Sequence, residues 1–122
     1  MIRIQKSLVL DFSVGNGFIA ENTFQVPAGK RLVIEWISAS QFVPQDAGGS
    51  FGITTQVGGE QAFHALATFA SATTDGNVNF TASQVTRIYA DPDSVIHVNG
   101  SRSINQGSQF GAFVFSGYLE DV

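Results

Sequence analysis

The 122-residue chain contains no cysteine, which excludes disulfides, thiolate metal sites and a thiol nucleophile. Charge is also scarce. Asp, Glu, Lys and Arg make up 13% of the residues, about half of what an ordinary soluble domain carries. The surface must instead be built from Ser, Thr, Asn, Gln and the 13 Gly. So little charge leads to the expectation that partner subunits cover part of it. The net charge is −4 and the basic residues, Lys6, Lys30, Arg31, Arg87 and Arg102 among them, are scattered, so there is no footprint for a phosphate backbone and nucleic-acid binding is not expected. No apolar run approaches the roughly 20 residues of a membrane helix. The start, MIRIQKSLVLDFSV, alternates instead of showing an apolar block behind basic residues, so no signal peptide is expected either and the compartment stays open.

What is present is alternation. Ile2, Ile4, Leu8, Leu10, Phe12 and Val14 share one parity and Arg3, Gln5, Ser7, Asp11 and Ser13 the other, the period of a half-buried strand. Asn16-Gly17 reads as a turn into a second strand, broken at Pro27-Ala28-Gly29. The 51–57 stretch alternates again up to Gly58-Gly59, and Asp91-Pro92-Asp93-Ser94 has the composition of a type I turn. Residues 61–72, QAFHALATFASA, fit either a short helix or a strand, and their strand-rich neighbours favour a strand.

Two segments differ because both parities are apolar. In RLVIEWISASQFV (31–43), Leu32, Ile34, Trp36 and Phe42 lie on one parity and Val33, Ile37, Ala39 and Val43 on the other. The closing FGAFVFSGYLED (110–121) likewise has Phe113, Phe115 and Leu119 against Ala112, Val114 and Tyr118. Strands of that kind are covered on both faces. One cover is a second sheet, and the other is expected to be a neighbouring subunit, with Ile37, Val114 and Tyr118 at the contact. The whole chain, 1–122, reads as one all-β domain, an antiparallel sandwich of jelly-roll type with about eight to ten strands.

The stretches Phe24-Gln-Val-Pro-Ala-Gly-Lys-Arg-Leu-Val-Ile-Glu-Trp36, Val85-Thr-Arg-Ile-Tyr-Ala-Asp-Pro92 and Phe115-Ser-Gly-Tyr-Leu119 together resemble small uncharacterised bacterial β-sandwich proteins. The last also resembles the closing strand of C1q/TNF-like jelly rolls. That resemblance implies a ten-stranded jelly roll assembling as a trimer through one apolar face. The first hundred residues lack the family's pattern, and no ligand is implied.

Signals for catalysis are thin. His64 and His97 stand alone in sequence without the His-x-His of a jelly-roll metal centre, and no Gly-x-Ser-x-Gly elbow occurs. Most acids fall in predicted turns or termini. Glu35, between Ile34 and Trp36, would be costly to bury unpaired, and Arg87 is its expected partner. No enzymatic activity is therefore expected. The leading expectation is a self-assembling structural or interaction module, as in a viral shell or an extracellular appendage. The alternative is a carbohydrate-binding, lectin-like module, with Trp36 and Tyr89 as sugar platforms beside Tyr118 and with Asn99, Arg102, Asn105 and Gln106 as polar partners. Asp91 and Asp93, with loop oxygens, could add Ca²⁺.

Overall fold

The computed structural model describes residues 1–12, 17–44, 47–72, 76–104 and 109–122. Alternation is realised in nine strands: β1 (Ile2–Phe12), β2 (Ile19–Gln25), β3 (Lys30–Pro44), β4 (Gly49–Val57), β5 (Glu60–Ala65), β6 (Phe69–Ala72), β7 (Asn77–Ala90), β8 (Val95–Arg102) and β9 (Gln109–Asp121). The ambiguous 61–72 stretch is extended, and it is split: β5 and β6 lie in different sheets, with Leu66 buried at the crossing. The Asn16-Gly17 turn lies partly outside the described residues.

One sheet has five strands in the order β1-β9-β3-β7-β6, the other four in the order β2-β8-β4-β5, and all pairings are antiparallel. Four of these pairings nest: β1 with β9, β2 with β8, β3 with β7, and β4 with β5. The chain is thus a long double ribbon folded over at the β4–β5 hairpin, with β6 added at the edge. The hairpin turns on Gly58 and Gly59, both at positive φ (61° and 78°), the conformation that a two-residue turn between twisted strands requires.

The core lies between the sheets. Leu10, Phe12, Leu32, Ile34, Ile37, Phe113 and Phe115 from the larger sheet meet Phe51, Ile53, Ile96 and Val98 from the smaller. The Phe24 ring meets Phe115 edge-on at 5.6 Å between centroids. Burial of each large apolar side chain contributes about 1.5–3 kcal/mol. Polar residues are buried as well, Gln41, Thr55 and Arg102 among them. Gln41 is fully buried, and its Nε2 donates across the sandwich to the Ser101 carbonyl at 3.0 Å. A Cβ at Gly49, Gly100 or Gly111 would press on Gln41, so three glycines form the slot that holds its amide.

The central finding in the larger sheet is a bulge at Glu35. On β9, Gly117 and Ser116 pair with Ile34 and Trp36, which leaves Glu35 without an opposite residue. On β7, Thr86 and Arg87 stand opposite it between Val85 and Ile88. An extra residue shifts the alternation by one. Leu32 and Ile34 face the core before the bulge, and Ile37, Ala39, Gln41 and Val43 face it afterwards. The apparent two-sidedness of 31–43 is therefore largely one inward row that changes parity, and it does not require a second cover. Ile37 belongs to the intersheet core and is fully buried, so its expected place at a subunit contact is corrected. Thr86 Oγ1 donates to the Ile34 carbonyl at 2.8 Å and ties the bulge together. Gly117 completes it: a Cβ there would collide with the Val33 carbonyl.

Candidate functional site

The sandwich has two outer faces, and the register defines the rows on each. On the larger sheet, Arg3, Tyr118, Val33 and Tyr89 form one row, Gln5, Ser116, Trp36 and Val85 the next, and Ser7, Val114, Ser38 and Ser83 a third. Val9, Ala112, Ser40, Thr81 and Phe69 form a fourth. Beyond it lie Phe110, opposite Asp11, and Phe42, opposite Asn79. Trp36 is 40% and Val85 78% exposed, and Val9, Phe42, Phe69 and Phe110 are exposed as well. The middle rows carry no charge. Asp11 and Arg87 also face outward, and the other charges gather at one end in pairs. Arg3 reaches Glu35 at 2.6 Å and lies over the Tyr118 ring, Arg31 Nε donates to Glu120 at 2.7 Å and lies over Tyr89, and Lys30 pairs with Asp121. Hydrogen bonding to Glu120 raises the Arg31 pKa further above its ordinary value.

The Arg3 pairing corrects the expectation for Glu35. It is an exposed residue bound to Arg3, not a buried one bound to Arg87, because the bulge turns it to the surface.

On the smaller sheet, one outer row is Thr23, His97, Thr54 and Phe63, and the next is Glu21, Asn99, Gly52 and Ala65. Gln56 and Gln61 face each other toward the Gly58-Gly59 turn. A Cβ at Gly52 would fall inside the Phe63 ring, so the ring is laid over the glycine, and 59% of Phe63 remains exposed. Beside it opens a cavity of about 470 Å³ lined by Gln56, Gln61, Asp91, Pro92, Asp93, Ser94, Val95 and His97.

The turn at residues 91–94 shapes that cavity. Ser94 N–H closes it onto the Asp91 carbonyl at 3.2 Å. Asp93, its third residue, has φ 64°, the sign that belongs to a type II turn and not to the expected type I. Asp91 Oδ2 accepts the Gly58 N–H at 2.6 Å, and Asp91 N–H donates to the Gln56 carbonyl at 2.9 Å. Asp91 thus locks the hairpin turn to the β7–β8 turn. Among the described residues the side chains of Gln56, Gln61, Asp93 and His97 have no hydrogen-bond partner within the protein. No group of three or more His, Asp or Glu residues there is placed to hold a metal ion. Asp91 and Asp93 fall well short of the six to eight oxygens that Ca²⁺ takes.

The expected sugar-binding residues do not form one site. Trp36 and Tyr89 lie on the outer face of the larger sheet and Asn99 on that of the smaller. Arg102 is buried. Its Nε donates to the Gly17 carbonyl at 2.5 Å, its guanidinium stacks 4.6 Å from the Phe12 ring centre, and burial lowers its pKa. It serves the core as a cation over an aromatic ring and does not reach out as a loop ligand. Asn105 and Gln106 lie outside the described residues. Val114 and Tyr118 do face outward and are half-buried by neighbouring strands. A second cleft, of about 310 Å³, opens between the sheet edges and is lined by Thr55, Glu60, His64, Arg87 and Tyr89 among others.

No known protein family matches the sequence, and no curated protein does. Among solved structures, 99% of the chain superposes on 13% of the dimeric latent PorU from Porphyromonas gingivalis, at 9% identity and a TM-score of 0.48. The chain thus spans about an eighth of that protein, and a likeness at this level carries no argument.

Proposed function

We propose that this protein is a non-catalytic assembly module of jelly-roll type that associates with copies of itself through the outer face of its larger sheet. The nested strand pairing supports the jelly-roll reading, since two interleaved Greek keys wind a ribbon in this way. The observation that carries the assembly reading is the apolar face itself. Trp36, Val85, Phe42, Phe69, Phe110 and Val9 are exposed together around uncharged serines, the pattern of an interaction surface. Four strands spaced about 4.8 Å, each presenting some ten residues at about 3.3 Å, and the short β6 beside them give a face on the order of 700 Å². That is about what one partner contributes to a stable interface. Identical faces that meet flat close as a two-fold pair. The trimer expected from the sequence would need a second, different patch.

The test is absolute mass by light scattering across a hundredfold concentration range, with Val85→Asp beside the wild type. The wild type is expected at a multiple of 13.0 kDa and the variant at the monomer mass with its melting temperature kept. A wild type that stays monomeric at every concentration overturns the reading, and a threefold mass replaces the pair with the trimer.

A further inference from the structure

We infer that the outer face of the smaller sheet carries a binding site for neutral oligosaccharides, with Phe63 as the platform and the adjoining cavity as the polar reader. The argument starts from unengaged chemistry. A sugar presents hydroxyls that each donate and accept, together with an apolar C–H surface, so its site needs acceptors, bifunctional amides and an aromatic ring. The cavity supplies the Gln56 and Gln61 amides, the Asp93 carboxylate and the His97 imidazole, all without hydrogen-bond partners among the described residues. The turns that carry Asp93 and flank the two glutamines are held in place. Asp91 pins the two turns to each other through Gly58, and Asp93 N–H is bound to the Val26 carbonyl at 3.1 Å. Preorganisation of this kind reduces the ordering that binding must impose.

Phe63 stands one row from the cavity, with its ring laid toward Gly52. Phe63 and Gln61 point to the same side of β5, two residues and so about 7 Å apart along the strand. One sugar unit can lie on Phe63 while the next enters the cavity. Gly52 makes this possible, because any side chain there would displace the ring.

Charge selects the class. Asp91 and Asp93 line the cavity and, among the described residues, no Lys or Arg does, so sulfated, phosphorylated or carboxylated sugars are repelled. The face is opposite the one proposed for assembly, so the two readings stand or fall separately.

The experiment is ¹H–¹⁵N NMR titration of the intact chain with neutral trisaccharides (maltotriose, cellotriose, mannotriose), the amine-bearing chitosan trimer and sulfated lactose as separate probes. A neutral trisaccharide is expected to shift the resonances of Gln56, Gln61, Phe63 and His97, saturably. Phe63→Ala is expected to weaken binding about tenfold, with Gln61→Ala as a second variant on the same face and Trp36→Ser, on the other, as a control without effect. Silence from all neutral probes overturns the proposal. So does binding of the chitosan trimer alone, which would make the cavity a cation site, or binding that Trp36→Ser removes.

Discussion

The two outer faces are built by the same alternation and end with opposite chemistry. On the larger sheet the middle outward rows carry no charge, and most of the charges of that face lie at one rim, where Arg3–Glu35, Arg31–Glu120 and Lys30–Asp121 satisfy one another. On the smaller sheet the outward groups keep unused donors and acceptors around a cavity whose two turns are tied together. Inward parity answers only to the core, so outward parity is free to diverge. A face without polar demands suits another protein surface, and a face with unmet polar demands suits a small polar ligand. A pair joined through the larger sheets would present both smaller sheets to solvent, and two linked sites gain avidity on a repeating glycan.

The sharpest way to break this division is to delete Ser38, just past the bulge. With one residue fewer there, the register that places Leu32, Ile34 and Ile37 inward turns Ala39, Gln41 and Val43 outward. The core and the assembly face would exchange residues. Loss of cooperative thermal unfolding by circular dichroism is expected, whereas an intact transition would show that the bulge can move. Next in size is Phe115→Ala. It empties a fully buried site shared by both sheets and should cost about 3–5 kcal/mol in denaturant unfolding, with assembly and sugar binding lowered together. Unequal loss would mean that the faces are not carried on one core.

The smallest effect lies at the charged rim. The Lys30 hydrogen bond holds the Asp121 carboxyl below its ordinary pKa of 3.8. A depressed folded-state pKa stabilises the native state above the unfolded value, and that contribution disappears as pH falls through the folded one. Wild type and Lys30→Ala should therefore converge in melting temperature only below about pH 4, the difference above it being slight because both groups meet solvent.

Strand positions were legible because each needs only a period of two, and the Gly58-Gly59 hairpin because positive φ demands glycine. The bulge was not. A parity change inside RLVIEWISASQFV looks the same as a strand covered on both sides, and this put Ile37 at a subunit contact and Glu35 in the interior. Arg102 was misread as part of a polar loop, although a signal existed: the inward parity of Ile96, Val98 and Gly100 continues to it. Phe63 was passed over because its ring's place depends on Gly52, 11 positions away and on another strand. Gln41 depends on glycines from three strands, a slot that only tertiary structure assembles.

The nesting of the strands also sets an order in time. β9 lies between β1 and β3, so until it is made the larger sheet exists as two separate pieces, and the apolar inner side of β1 waits for a partner more than a hundred residues downstream. Pairing of that range is slow because chain closure must be completed before any contact rewards it. During synthesis β1 is an unpaired apolar edge, and the nascent chain is most prone to aggregate just before its ninth strand emerges.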